Sequence, residues 1–340
     1  MTNVTLVVCL LEMNCCNNNV VECPILFFKC GIQFTFDYSK LKIMKRTITL
    51  FSLLFCLFTI NSQTYNQLIV DGKGNEKLLG KINREGLATN SFGKWFNKNH
   101  DNYTVDESLV KTLKDSLSNY EIKLFLGTWC GDSRREVPRL YKVLDNAQFS
   151  ENQLEVIAVE RTPEAYKKSP TGEEKGLNIH KVPTMIFYKD GKEVNRIVEH
   201  PKETFERDIY NIVVQKNYIS NYIATNYLDK LFKQYDVNTI SEMETELIPK
   251  LTELAEGSRE LNSLGYIKLR NKKLEEALFI FKMNTKLFPD KSNVYDSLGE
   301  AYFESKNYIE ALKNYYKVLS LVPNDKHAKK MVAEIENINY

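Results

Sequence analysis

Beyond residue 64 this 340-residue sequence holds one cysteine, Cys130. The other six, Cys9, Cys15, Cys16, Cys23, Cys30 and Cys56, are crowded near the amino terminus, so the remainder of the chain is not a disulfide framework. A surplus of either charge is also lacking. From residue 65 onward Lys plus Arg equals Asp plus Glu in number, which leaves no electrostatic footprint for nucleic acid or for an anionic membrane surface. Long apolar runs are absent as well: the stretch from Ile48 to Ile60 is too short to span a bilayer. His100, His200 and His327 are scattered and have one cysteine for company, which suggests no metal site, and no cofactor is expected.

What is present is enough apolar residue, 43%, to fill the cores of two ordinary domains. Residues 44–64, "MKRTITLFSLLFCLFTINSQT", have the three parts of a secretory signal: a basic pair, an apolar run and a short polar exit. Bulky Phe55 argues against a lipid anchor on Cys56. An export signal placed behind 43 other residues makes little sense, so translation is expected to begin at Met44, with residues 1–43 an upstream over-prediction. The mature chain then starts near Tyr65, is periplasmic or secreted, and keeps no membrane span once the signal is removed.

Residues 65–89 are an extension in which a hairpin is expected around Asp71-Gly72. Asp106–Leu117 opens with acids and spaces Leu109, Leu113 and Leu117 four apart, an amphipathic helix. "IKLFLGTW" and "LEVIAVE" read as buried strands, "TMIFYKDGKEVNRIV" as a hairpin turning at Asp190-Gly191, and "KETFERDIYNIV" as a closing helix. The order predicts an α/β domain over 90–218, a mixed sheet with helices on both faces. Cys130 then lies where a strand ends and a helix begins.

A helix amino terminus can lower a thiol pKa from about 8.5 into the range ~3.5–7.5. Arg134 and Arg135 could add positive charge, and the Ser133 hydroxyl could donate to the sulfur. Asp132 suits the first turn as a cap. A second cysteine would attack a mixed disulfide and release the substrate. Ser133, three residues after Cys130, cannot. Attack therefore survives while intramolecular resolution does not, which fits disulfide isomerisation or exchange with protein, peptide or small thiols, and not net dithiol reduction.

Residues 90–215 resemble the thioredoxin fold. Trp129-Cys130-Gly131 follows an apolar strand, Pro138 lies eight residues after Cys130, and Val182-Pro183-Thr184 precedes a hairpin strand as the family's cis-proline loop does. The resemblance implies that Pro183 is cis and presents the Val182 backbone beside Cys130. The departures are Ser133 for the resolving cysteine, Asp132 for proline, and Leu124 where the family has a buried acid. His180 is a candidate proton carrier near the sulfur, set against a partly exposed loop residue.

Residues 219–340 change to uninterrupted helical periodicity. Aligning 258–291 with 292–325 superposes Leu264-Gly265 on Leu298-Gly299, Ala277 on Ala311, Phe281 on Tyr315 and Pro289 on Pro323. That period is the tetratricopeptide one, although Lys268, Asn284 and Val318 depart from its usual residues. Helices in 219–256 and 326–337 are expected to cap the stack. The sequence thus predicts an exported single-cysteine exchange protein whose repeat groove takes a peptide ligand. The competing reading is a redox-inactive adaptor of the cell envelope.

Overall fold

The computed structural model describes residues 65–338, so the expectations for residues 1–64 lie outside the described residues. The chain opens with a hairpin, β1 (Gln67–Val70) and β2 (Glu76–Ile82). Its turn is held by the Asp71 carboxylate, which accepts the amides of Lys73 and Asn75. Two helices follow, α1 (Arg84–Ala88) and α2 (Asn90–Asp101). They were not foreseen in the sequence. Next come α3 (Glu107–Leu117), β3 (Glu121–Leu126), α4 (Gly131–Asn146), β4 (Leu154–Ala158), β5 (Thr184–Lys189), β6 (Lys192–Val198) and α5 (Phe205–Tyr210), which continues as a π turn, Asn211–Gln215.

The six strands form one sheet in the order β1-β2-β4-β3-β5-β6. β3 runs parallel to β4 and antiparallel to β5, with Leu124 opposite both Val156 and Met185. β2 joins the far side of β4 antiparallel, so the hairpin at 67–82 is part of this sheet. The Asp190-Gly191 turn between β5 and β6 has positive φ at both residues, 51° and 70°, the geometry a tight hairpin requires.

Strand alternation divides the core. Ile122, Leu124 and Leu126 face one cluster, built with Phe92, Phe96, Leu113, Leu117, Val137, Leu140 and Phe205 of the helices. Phe125, Ile157 and Ile186 face the other, which is closed by Ile179 and Val182 of the long segment after β4. Pro138 sits inside α4 and cannot donate to the Arg134 carbonyl one turn back. The Asn99 side-chain amide of α2 donates to that carbonyl at 3.0 Å, so the proline's missing bond is supplied from a neighbouring helix.

The second half is all helical: α6 (Ile223–Gln234), α7 (Val237–Glu242), α8 (Glu244–Leu254), α9 (Ser258–Arg270), α10 (Leu274–Leu287), α11 (Ser292–Glu304), α12 (Tyr308–Leu321) and α13 (Lys326–Glu336). α9/α10 and α11/α12 are the two 34-residue units. A Cβ on Gly265 would fall 2.4 Å from the Phe281 ring, and one on Gly299 3.1 Å from the Tyr315 ring, so each glycine lets its helix approach an aromatic of the partner helix. The same period recurs in polar contacts: Tyr266 donates to Glu300, and Arg270 pairs with Glu304.

The departures from the repeat pattern have partners. Lys268 is buried and pairs with Asp229 of α6 at 3.2 Å and Glu276 of α10 at 2.7 Å. Asn284 is fully buried and donates to the Ser258 carbonyl and to Asn262. Lys268 thus ties the first repeat to α6, and Asn284 joins the two helices of that repeat to each other. The two halves meet through Lys168, which donates to the Arg270 carbonyl at 3.3 Å, and Lys233, which donates to the Gly176 carbonyl at 3.4 Å.

Candidate active site at the Cys130 turn

β3 ends at Leu126 and α4 starts at Gly131, so four residues, Gly127 to Cys130, make the turn. The Cys130 amide donates back to the Gly127 carbonyl at 2.8 Å, and the Cys130 carbonyl accepts the Arg134 amide to open the helix. Gly127 is needed for space, because a Cβ there would lie 2.5 Å from the Trp129 indole. Trp129 is fixed in turn by its Nε1, which donates to the Val159 carbonyl at 2.9 Å. The Thr128 hydroxyl oxygen accepts the Leu78 amide of β2 at 3.1 Å, so the hairpin also braces the turn.

Cys130 is a free, half-buried thiol at the N-cap of α4, and no side chain caps that helix end. Its Sγ donates to the Val182 carbonyl at 3.3 Å, and the Val182-Pro183 peptide bond is cis. The Pro183 carbonyl accepts the Glu199 amide at 2.7 Å and the Thr184 hydroxyl donates to the Lys181 carbonyl at 2.8 Å, which fix the loop over the sulfur. The turn and the loop are thus brought together as the sequence requires of them.

Other candidate residues take different places. Ser133 is fully buried, its oxygen accepts the Gly127 amide at 3.2 Å, and it makes no bond to Sγ. The hydroxyl serves the turn. Arg134 Nε donates to the Thr128 carbonyl at 2.6 Å, while Arg135 pairs with Asp132 at 2.8 Å and Glu136 at 2.5 Å. Neither cation is hydrogen-bonded to the sulfur. Asp132 lies in the first turn of α4, where its charge suits the helix dipole, but it does not cap the end.

His180 is 1% exposed, which corrects the expectation of a partly exposed loop residue. Its Nδ1 lies 3.1 Å from the Asn178 carbonyl and its Nε2 has no partner. Burial drives its imidazole down to about 3. A ring held neutral in this way has no imidazolium proton to give at ordinary pH.

A residue the sequence did not single out is Lys167, 5% exposed. Its amide donates to the Glu160 carbonyl just beyond β4, and its Nζ donates to the His180 carbonyl, two residues before Val182. Burial brings its ammonium down to about 7, with Lys181 pushing the same way and Cys130 and Glu199 opposing. In the sequence the segment "YKKS" looks like a solvated lysine pair. Only closure of the 160–183 segment over the sheet buries one of them.

No protein-family model matches this sequence. Over 74 residues it is 31% identical to Thioredoxin-2 of Saccharomyces cerevisiae, covering 22% of this chain and 62% of that protein. Over 151 residues it is 24% identical to Superkiller protein 3 of Schizosaccharomyces pombe, covering 44% of this chain and 10% of that protein. The chain therefore spans less than two thirds of either relative. The fold is thioredoxin-like, followed by tetratricopeptide repeats. Among solved structures, the first TPR of Spaghetti (RPAP3) bound to an HSP90 peptide is 23% identical, covering 34% of this chain and 88% of that chain, with a TM-score of 0.24. Among the described residues no helix is long and apolar enough to cross a membrane.

Proposed function

We propose that this protein is an exported thiol–disulfide exchange protein that works through Cys130 alone and uses its repeats to hold a protein or peptide partner. The observation that carries the reading is the position of the Cys130 sulfur: at an uncapped helix amino terminus and 3.3 Å from the Val182 carbonyl of the cis-proline loop. Helix-end amides favour a thiolate, and the loop offers backbone to an extended substrate beside it.

In the exchange step the Cys130 thiolate attacks one sulfur of a substrate disulfide. The substrate S–S bond breaks, a Cys130–substrate S–S bond forms, and the other substrate sulfur leaves as a thiolate that takes up a proton. No second cysteine stands in the turn, so release comes from that substrate thiolate attacking again, or from an external thiol. Either route returns the Cys130 thiolate with no net change in the protein. Isomerisation meets this balance without a reductant.

The test is reactivation of a scrambled disulfide-bonded protein in a glutathione buffer. The wild type accelerates recovery, and Cys130→Ala abolishes the acceleration while leaving the fold intact. Equal rates for wild type and variant would move the function to the repeats, as a binding adaptor without redox chemistry. Export rests on residues 44–64 and is checked by fractionating cells that express the chain from Met1 and sequencing the amino terminus of the exported form.

A further inference from the structure

We propose that Lys167 is the counter-charge of the Cys130 thiolate, the buried cation that sets when this cysteine becomes nucleophilic. The assignment rests on the reading of Cys130 as an exchanging thiol.

Three observations converge on Lys167. It is nearly fully buried, yet among the described residues it makes no ion pair; its Nζ donates instead to the carbonyl of His180. That carbonyl belongs to the loop whose Val182 oxygen takes the Cys130 thiol, so the ammonium and the sulfur are bound to the same short piece of backbone. A buried ammonium without an acid partner is costly and is relieved either by losing its proton or by an opposite charge nearby. The thiolate is the charge this site can generate, and the interaction between Cys130 and Lys167 favours the ammonium.

The remaining charged or titratable groups around Lys167 are otherwise engaged. Lys181 is paired with Glu199 at 3.2 Å, and Tyr222 donates to the same Glu199. His180 is held neutral by burial, and the Tyr166 ring lies 4.4 Å from the Lys167 Nζ, an apolar face that tolerates a cation. On the helix side Arg134 braces the turn and Arg135 is neutralised by Asp132 and Glu136. Lys167 also lines a cavity of about 440 Å³ between the 160–183 segment and helices α6 and α9.

The chemistry balances without a co-reactant. The cysteine proton is lost to water, the thiolate forms against the ammonium, and attack transfers the negative charge to the leaving sulfur. The leaving sulfur recovers a proton from water. Lys167 neither gives nor takes a proton in the step; where it is protonated, below about pH 7, it acts through Cys130, as a positioning residue.

The experiment follows iodoacetamide alkylation of Cys130 in the folded full chain from pH 5.5 to 9, read on the Cys130 peptide by mass spectrometry. Lys167→Gln keeps a donor for the His180 carbonyl and removes the charge. It should slow alkylation about tenfold at pH 6.5, the equivalent of one pH unit, with the gap closing towards pH 9. Lys167→Arg, with a permanent cation, should stay within about threefold of wild type at pH 6.5. Coincident wild-type and Lys167→Gln profiles, with Cys130 reactive in both, would overturn the role of Lys167 and leave the exchange reading standing. A Cys130 that resists alkylation in the folded wild type at every pH would overturn both. Should Lys167→Gln fail to fold, the Arg variant decides: a tenfold loss at pH 6.5 in a folded Lys167→Arg protein contradicts the assignment.

Discussion

The Ser133 hydroxyl oxygen accepts the Gly127 amide proton at 3.2 Å, tying the residue after β3 to the first turn of α4. The position that would carry a resolving thiol thus carries a structural bond. Ser133→Ala leaves the buried Gly127 amide without a partner and should cost about 1–3 kcal/mol, read from urea denaturation. Ser133→Cys places a second thiol three residues after Cys130. A mixed disulfide formed at Cys130 should then be cleared internally, so its steady level falls while an internal disulfide appears on mass analysis. An adduct that persists as in the wild type would mean the buried position cannot reach the sulfur.

His180 predicts an acid-sensitive fold. Its imidazole titrates at about 3 when folded, against an ordinary value of 6.5 in the unfolded chain. Between those values the unfolded state binds more protons, so stability is full above pH 6.5 and falls as pH drops towards 3. At its steepest this amounts to about 1.4 kcal/mol per pH unit. His180→Leu removes the titrating group, and its unfolding midpoint should fall less than the wild type's between pH 6.5 and 4. Parallel curves would show that carboxylates alone cause the acid loss.

The two repeat glycines should differ in their tolerance of a methyl group. A Cβ at Gly265 meets the Phe281 ring at 2.4 Å, whereas one at Gly299 meets the Tyr315 ring at 3.1 Å. Gly265→Ala is predicted to cost about 1–3 kcal/mol through overpacking, and Gly299→Ala to be near neutral because the helix gains propensity as the ring gives slightly. Thermal unfolding of the two variants side by side tests the order.

Much of this architecture was legible in local pattern. The apolar runs at β3 and β4, the Asp190-Gly191 hairpin and the glycine–aromatic pairs 34 residues apart each carry a short-range or periodic signal. Helix α2 did not: Gly93 and a run of Asn and Lys dilute its propensity, and its burial rests on Phe92 and Phe96 entering the helix-side core cluster, with Phe96 against the Tyr141 ring of α4. The site was legible in part. Cys130 and Val182 are set by a turn and a loop that the sequence marks with Trp129 and Pro183. Lys167 and His180 lie in an irregular segment whose burial depends on the whole chain closing, and the loss of exposure that changes their chemistry has no local signature. Nor does the sequence say which way a hydroxyl points, and Ser133 serves the Gly127 amide.

The most direct test is to expose the folded protein to glutathione disulfide and analyse the Cys130 peptide by mass spectrometry. A single-cysteine exchange site should form a glutathione adduct on Cys130 that reduced glutathione then removes, restoring the free thiol. A folded protein whose Cys130 stays unmodified, or reacts only after denaturation, would contradict the account and leave the thioredoxin-like domain without thiol chemistry.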